Sequence, residues 1–237
     1  MSEENQDASI PERKLFKVAK RKNLKLKMLI GGPSGSGKTY SALQLAQGFL
    51  GKLDNVGVLD TEDSAEIYDR FGPYTVLPFE KPFDPRRLEK VIDLAIDEGI
   101  ELLVIDSITK FWEGEGGCLD IHDKFGGRFQ DWAKTNKIWD SMLQKIVHSK
   151  IHIIATVRKK SDHEIVEKNG KKTVQKMGMK NMIRDGHEYE YSCALDLNID
   201  HIASVSKDRT SIFEGICPVI LTPEHGELLR DWCEGKA

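Results

Sequence analysis

The segment that most constrains the fold is an eight-residue stretch between an apolar run and a helix-like run. Residues 32–39 read Gly-Pro-Ser-Gly-Ser-Gly-Lys-Thr, which fits the pattern G-x-x-x-x-G-K-[ST] at every fixed position. The apolar residues 24–30 before it favour a buried strand, and residues 40–50 after it favour a helix. The glycines let backbone N–H groups turn inward around a phosphate, at the positive end of the helix dipole. The sequence therefore predicts a strand, a phosphate-binding loop and a helix in succession.

This loop has the residue types that bind a nucleoside triphosphate. Lys38 is expected to contact the β- and γ-phosphates, and the Thr39 hydroxyl is expected to be a ligand of Mg²⁺. We therefore predict ATP and Mg²⁺ as the cofactors. The predicted nucleotide contacts are Gly32, Pro33, Ser34, Gly35, Ser36, Gly37, Lys38, Thr39 and Tyr40. The alternative is a chance match, which the strand and helix patterns on either side argue against.

Composition is that of an ordinary soluble protein. The 237 residues are 39% hydrophobic and 31% charged, which leaves room for one domain with some decorations. We expect a disordered tail over residues 1–14, because they are polar and terminal, and a single domain over residues 15–237. No apolar run approaches the roughly 18 residues of a membrane span, and the first residues lack the apolar centre of a signal peptide. These features predict a cytoplasmic location and no membrane partner.

Strand and helix patterns alternate along the first two thirds of the chain. Strands are predicted at residues 24–30, 55–60, 74–79, 100–106 and 151–157, and helices at residues 38–50, 84–98 and 132–148. The glycine-rich residues 114–127 are predicted as a loop. This order predicts an α/β fold with a mostly parallel central sheet flanked by helices on both faces. Ligands are expected at the carboxyl ends of its strands.

The last third of the chain has antiparallel signals. Asn169-Gly170 is a strong two-residue turn, and it would place Ile165 opposite Val174 in a projecting β-hairpin. We therefore expect antiparallel strands and a hairpin beside the parallel sheet. Further elements are predicted as strands at residues 189–200 and 201–206 and as a helix that opens at residues 222–223.

Positive charge is concentrated in two segments. Residues 13–27 contain eight Lys or Arg and no acid, and residues 157–184 contain nine Lys or Arg against three acids. Such basic stripes favour a polyanion partner, and the alternative is that these side chains only solvate loops. The predicted nucleic-acid contacts are Lys159, Lys160, Lys171, Lys172, Lys176, Lys180 and Arg184.

Carboxylates follow two of the predicted strands. Asp106 closes the apolar run Glu-Leu-Leu-Val-Ile and is the predicted catalytic Mg²⁺ residue, with a helix N-cap as the alternative. Asp60 and Glu62 end the neighbouring strand, where a carboxylate could orient and deprotonate the attacking water. We prefer Glu62 as this base, with Asp60 as the second choice. The alternative for both is a solvated turn residue.

Cationic residues at two later strand ends are further candidates. Thr156 and Arg158 are placed to sense the γ-phosphate and to pass the signal into the basic segment that follows. Lys207 and Arg209 could form a cationic finger that reaches the phosphates of an adjacent protomer, and a surface turn is the alternative. The tryptophans are expected to pack the core, although Phe111 and Trp112 beside the glycine-rich stretch could stack on bases.

These motifs, taken in order, give the chain a family resemblance over about residues 15–233. The phosphate-binding loop, Val-Leu-Asp-Thr-Glu, Glu-Leu-Leu-Val-Ile-Asp-Ser and Ser-Lys-Asp-Arg-Thr resemble the core of RecA-type P-loop ATPases. The chain looks most like the short ATP-binding proteins of phages that are grouped with RecA-like single-strand annealing proteins. The resemblance implies that Glu62 activates water, that Lys207 and Arg209 act in trans, and that residues 159–184 form a DNA-binding loop.

The resemblance also implies partners and a role. It implies an ATPase stimulated by single-stranded DNA that assembles as a homo-oligomeric ring or filament, in the host cytoplasm if it is phage-encoded. It includes no separate DNA-binding domain, so an annealing or accessory role in recombination or replication is expected rather than strand exchange. Two rival hypotheses are a P-loop phosphotransferase with a small acceptor substrate and an ATP-switched adaptor that loads another protein.

Overall fold

A mixed β-sheet forms the centre of the fold. The computed structural model describes residues 19–168 and 171–236, with the backbone alone for residues 162–168 and 171–178. The strands are β1 (Lys27–Gly32), β2 (Val56–Asp60), β3 (Thr75–Pro78), β4 (Leu102–Asp106), β5 (His152–Lys168), β6 (Lys171–Asn181), β7 (Cys193–Leu197), β8 (Ile202–Asp208) and β9 (Val219–Ile220). The helices are α1 (Lys38–Leu50), α2 (Pro85–Asp97), α3 (Thr109–Glu113), α4 (Cys118–Lys124), α5 (Trp132–His148) and α6 (Pro223–Glu234).

The strand order is β3-β2-β4-β5-β1-β7-β8-β9. The first six strands in this order run parallel to one another, while β8 and β9 pair antiparallel to their neighbours. β6 pairs antiparallel with the far half of β5 and forms the hairpin. The predicted fold class, a mostly parallel α/β sheet with antiparallel strands in the last third of the chain, is therefore confirmed.

Apolar residues cover both faces of the sheet. Alternate residues of a strand point to opposite faces, so Met28 and Ile30 belong to the core that includes α1 and α6, while Leu29 belongs to the core of α2 and α5. Helices α1 and α6 lie so close together that a Cβ atom at Gly226 would overlap the carbonyl oxygen of Leu45. Packing of helices on both faces holds the strands of the sheet in place, including the strand ends that carry Asp60 and Asp106.

Several predicted boundaries differ from the structure. Residues 118–124 form a helix inside the glycine-rich stretch predicted as a loop, because the glycines lie at its ends and Asp120 accepts a hydrogen bond from the Gly116 N–H (2.7 Å). The strand predicted from residue 189 begins at Cys193, because residues 187–190 form a 3-10 turn. The hairpin register agrees with the prediction, with Ile165 opposite Val174. The predicted tail at residues 1–14 lies outside the described residues.

The helices of the described part of the chain are all too short or too polar to cross a membrane.

Candidate functional site

A cavity of about 530 Å³ opens at the carboxyl ends of the parallel strands. The loop after β1 forms its floor, the loop after β2 contributes Glu62, and β5 contributes Arg158. Aromatic and apolar residues on four other segments also line it, namely Tyr40, Tyr68, His201, Ile220 and Leu221. The volume and the mixture of charged and apolar walls suit a nucleotide-sized ligand.

The loop between β1 and α1 has the backbone conformation that its glycines permit. Gly35 and Gly37 have φ angles of 78° and 82°, which residues with a Cβ atom rarely adopt. Lys38 begins the helix and folds back over the loop, where its Nζ atom donates a hydrogen bond to the Pro33 carbonyl (2.9 Å). Burial lowers the pKa of Lys38, although Glu62 and Asp106 oppose this shift. An anion bound at the loop would add to the effect of these two carboxylates and stabilise the charged form of Lys38.

Asp106 lies at the end of β4 and is 1% exposed. Its Oδ2 accepts a hydrogen bond from the Thr39 hydroxyl (2.5 Å), and its Oδ1 accepts one from the Thr156 hydroxyl. Burial raises the pKa of Asp106, and these hydrogen bonds only partly offset it. Because α3 begins after Ile108 and has no side-chain cap, Asp106 is not a helix N-cap.

The pair of Thr39 and Asp106 fits a magnesium ion. Mg²⁺ prefers hard oxygen ligands, and protein sites commonly supply one or two of them while phosphates and water complete the shell. A hydroxyl and a carboxylate in contact with each other, beside a phosphate-binding loop, are such a set. Among residues 19–168 and 171–236 no group of three or more His, Cys, Asp or Glu could hold a metal without phosphates.

Asp60 organises the loop after β2. Its carboxylate accepts hydrogen bonds from the backbone N–H groups of Glu62 (2.9 Å), Ser64 (2.8 Å) and Ala65 (2.7 Å). The side chain is buried at 3% exposure. These bonds commit both oxygens of Asp60 to the loop, so Glu62 is the carboxylate of this pair that lines the cavity.

Glu62 lies between a guanidinium and a hydroxyl. Its Oε1 accepts hydrogen bonds from Arg158 Nε (2.7 Å) and from Ser107 Oγ (2.8 Å). Burial by itself raises the pKa of Glu62, but the bonds from Arg158 and Ser107 outweigh it and hold the pKa below its ordinary value. Glu62 is therefore a carboxylate at neutral pH, with its orientation fixed on two sides.

β5 joins this site to the hairpin without a break. Thr156 contacts Asp106, Arg158 contacts Glu62, and the strand then continues as one arm of the hairpin. Lys159 forms an ion pair with Asp196 of β7 (2.6 Å). Three residues within a four-residue stretch of one strand thus contact the two candidate catalytic carboxylates and Asp196.

The predicted nucleic-acid contacts fall into three groups. Lys160 is exposed at the root of the hairpin. Lys159, Lys180 and Arg184 form ion pairs with Asp196, Asp185 and Asp140 respectively. The side chains of Lys171, Lys172 and Lys176 lie outside the described part of the structure, and the backbone places these residues along β6. The root of the hairpin therefore carries both cations and carboxylates.

Lys207 and Arg209 lie at the opposite end of the sheet from the cavity. Asp208 pairs with Cys193, which pairs in turn with Met28 near the start of β1. Both cationic side chains donate hydrogen bonds to the carbonyl of Tyr189, from Arg209 Nη2 at 3.3 Å and from Lys207 Nζ. They cannot contact a nucleotide in the cavity of their own chain, so their predicted role requires a second protomer.

Sequence reasoning missed several residues that line or support the site. Ser107 contacts Glu62, and Thr61 Oγ1 accepts a hydrogen bond from the Ser107 N–H (2.9 Å). His201 lies at the turn between β7 and β8, where its own φ angle is 65°, and its ring lies against Gly37. Ser107 directly follows Asp106, so its position in the sequence could have identified it. His201 carries no such local signal, because only the antiparallel pairing of β8 brings it over the loop.

Comparison with known proteins agrees with the geometry of the site. A family model described as an AAA domain matches residues 24–221, which include the loop, both candidate carboxylates and the hairpin. A search of curated proteins finds no match to the chain. Because the family model covers well over half of the 237 residues, the chain belongs to the AAA domain family of P-loop ATPases.

Proposed function

We propose that this protein hydrolyses ATP in the cavity described above and couples hydrolysis to single-stranded DNA. The proposed biological role is that of a RecA-like, phage-type annealing or accessory protein in recombination or replication. Family membership supports nucleotide binding and hydrolysis in general. One observation carries the specific proposal: the carboxylate of Glu62 is held at the cavity wall by Arg158, on the strand that continues into the basic hairpin.

In the proposed reaction each residue has one role. The backbone N–H groups of the loop and Lys38 bind the phosphates. Thr39 and Asp106 would hold Mg²⁺, which would supply positive charge to the phosphate oxygens. Glu62 accepts a proton from water as the water oxygen forms its bond to the γ-phosphorus. The bond between the γ-phosphorus and the β,γ-bridging oxygen then breaks, and ADP and phosphate are the products.

Glu62 is preferred over Asp60 as the base because the two carboxylates differ in their hydrogen-bond partners. Asp60 accepts three backbone hydrogen bonds from the loop. Protonation of Asp60 would weaken these hydrogen bonds and destabilise the loop. Glu62 makes two side-chain contacts and lines the cavity. A base on the end of a rigid strand can be positioned without loss of loop structure.

The contact between Glu62 and Arg158 offers a route from DNA to hydrolysis. Arg158 lines the cavity, so it can bind either the carboxylate of Glu62 or a γ-phosphate oxygen. Arg158 is followed directly in β5 by Lys159, where the β5–β6 pairing of the hairpin begins. Binding of a polyanion at the hairpin would therefore change the position of Arg158, and with it the freedom of Glu62 to contact water.

The experiment is steady-state ATP hydrolysis with and without single-stranded DNA, at low and moderate salt. Glu62→Gln should lower kcat by about 100-fold or more and abolish stimulation by DNA, because loss of a general base costs about 10² to 10⁴ in rate. Glu66→Gln is the matched control, since Glu66 is exposed on the same loop and contacts none of the proposed groups. Equal rates for the wild type and Glu62→Gln would contradict the proposal.

An ATP-switched adaptor is the second candidate, and one observation favours it. Three of the cations predicted to contact DNA are paired with carboxylates of the same chain, which reduces the positive charge available to a polyanion. A protein that only binds ATP and then docks on another protein needs neither a free basic surface nor an active base. Tight ATP binding with slow hydrolysis that Glu62→Gln leaves unchanged would support the adaptor.

A further inference from the structure

We propose that a second groove, separate from the nucleotide cavity, binds unpaired bases of a DNA strand by stacking on Trp112. This inference rests on the proposed function, because it names the surface through which single-stranded DNA would act. The groove is open, has a volume of about 640 Å³, and lies between the segment from α3 to α5 and the end of β6. Its wall includes Trp112, Trp132, Asn136, Lys160, Lys180 and Arg184.

The aromatic rings of the groove form an ordered column. The rings of Trp112 and Trp132 are nearly parallel, with an interplanar angle of 16° and centroids 5.9 Å apart. His122 stacks on Trp132 at 3.9 Å and 15°. Trp139 presses its edge against Trp112 at 5.0 Å and 75°. These contacts hold the planes of Trp112 and Trp132 in fixed directions, so a planar ligand would meet preorganised surfaces.

Core packing explains the position of Trp139, which is buried, but it does not explain why Trp112 and Trp132 are partly exposed to the groove. Trp139 is only 1% exposed, whereas Trp112 and Trp132 are half-buried and line the groove. Outside the groove, the 3-10 turn that precedes α5 carries Phe129, which is 92% exposed. Water-exposed aromatic surface beside a groove is typical of binding sites for flat ligands.

Charges at the groove fit a nucleic-acid backbone. Lys160, Lys180 and Arg184 contribute three cations to the wall, against the carboxylates of Glu113 and Asp185. The ion pairs of Lys180 and Arg184 are at the surface, where such pairs are weak and phosphates can replace the carboxylates. Cations beside aromatic planes are the combination that binds single strands, because a duplex hides the faces of its bases.

The groove also lies next to the proposed coupling route. Glu113, on its wall, is close enough to Arg158 to raise the pKa of that guanidinium, after the larger contribution of Glu62. Lys160 follows Arg158 by two residues on β5. A strand seated in the groove would therefore contact the same segment that positions Glu62.

The test compares two ligands of equal length on the intact protein by fluorescence anisotropy. One is oligothymidylate, and the other is an abasic oligomer with the same phosphate backbone. Stacking predicts that the wild type binds oligothymidylate about 10-fold more tightly or better, because each stacked base contributes substantially to affinity. Trp112→Leu should remove this preference and leave binding of the abasic oligomer unchanged.

Trp232→Leu is the matched control, because Trp232 is a half-buried indole on α6 that contacts Arg21 and lies outside the groove. This variant should keep the preference for bases. The comparison of ligands on the wild type needs no variant, so it stands even if Trp112→Leu fails to fold. Equal affinity of the wild type for both oligomers would overturn the stacking site and leave DNA binding intact. Absence of binding to either oligomer would instead contradict the proposed action on DNA.

Discussion

The Nε atom of Arg158 lies 2.7 Å from Oε1 of Glu62, and this contact joins the loop after β2 to the strand that forms the hairpin. Arg158 is the largest single contributor that lowers the pKa of Glu62 against the effect of burial. The same guanidinium therefore orients the proposed base, lowers its pKa, and occupies one of its oxygens. In the proposed mechanism, DNA acts on the rate of hydrolysis through this contact.

Removal of Arg158 should change the pH dependence of hydrolysis. In Arg158→Ala the burial of Glu62 is no longer offset by the guanidinium, so the pKa of Glu62 rises and the carboxylate is protonated at a higher pH. The acid limb of the profile of kcat against pH should shift to higher pH, and stimulation by DNA should be lost. Arg87→Ala, on α2 away from the cavity, should keep the wild-type profile. An unchanged acid limb in Arg158→Ala would show that Glu62 is not the base.

Replacement of Asp106 should separate stability from activity. Burial raises the pKa of Asp106, so the ionised form destabilises the protein when no cation is bound. Asp106→Asn should therefore melt at the same temperature as the wild type or higher in the presence of a chelator. It should also lose about 100-fold or more in kcat, because metal stabilisation of phosphate charge is worth several kcal/mol.

The measurement for Asp106→Asn is thermal unfolding with and without Mg²⁺ and a non-hydrolysable ATP analogue. The wild type should gain stability from the two ligands together, and the variant should gain much less. Thr135→Ser is a control for a small change at a buried polar residue on α5, away from the cavity. A variant that gains as much stability from Mg²⁺ as the wild type would remove Asp106 from the proposed metal site.

His152 should make the protein less stable in mild acid. Its Nδ1 accepts a hydrogen bond from the Leu26 N–H (3.1 Å), which requires a neutral ring. Burial, with contributions from Lys25 and Lys27, lowers the pKa of His152 to about 3. The unfolded chain binds a proton near its ordinary pKa of about 6.5 while the folded chain does not, so stability is lost as pH falls below about 6.5.

The pH effect of His152 is measured by urea unfolding at about pH 7.5 and about pH 5.5. The wild type should lose about 1 kcal/mol more than His152→Gln between these values, which follows from proton linkage at a single site. His148→Gln is the control, because His148 is exposed near the end of α5. A wild type and a His152→Gln variant with the same pH dependence would show that His152 is protonated equally in both states.

The parts of the site that follow from local sequence could be predicted. The loop at residues 32–39, Asp106 and Glu62 each follow a continuous apolar strand, so periodicity and composition place them at the same edge of the sheet. The two-residue turn predicted at Asn169-Gly170 allows one register, and the observed pairing of Ile165 with Val174 agrees with that register. Each of these predictions uses residues close together in the chain.

The contacts between residues that are far apart in the sequence could not be predicted. Arg158 and Glu62 are brought into contact because β2 and β5 flank β4, an order that the sequence does not specify. The ion pair between Lys159 and Asp196 and the position of His201 over Gly37 likewise depend on where β7 and β8 join the sheet. Helix α4 was missed because Cys118–Lys124 is only seven residues long, too short for a clear helical period.

The position of Lys207 and Arg209 leads to a mixing experiment. Because they lie at the end of the sheet opposite the cavity, they can complete only the site of another protomer. Arg209→Ala keeps an intact base but offers no finger to its neighbour, while Glu62→Gln keeps the finger but lacks the base. Each variant alone should be nearly inactive. In a mixture, a Glu62→Gln protomer should supply its Arg209 to the intact site of an Arg209→Ala protomer.

Hydrolysis by the mixture should therefore exceed the average of the two separate rates and should rise with total protein concentration, since it depends on assembly. A mixture of Glu62→Gln with Asp106→Asn is the control, because neither chain has an intact site and no pairing restores one. Hydrolysis by Arg209→Ala at the wild-type rate, at every protein concentration, would contradict a trans-acting finger. The hydrogen bonds of Lys207 and Arg209 to the Tyr189 carbonyl would then be their whole role, as a brace for the 3-10 turn that precedes β7.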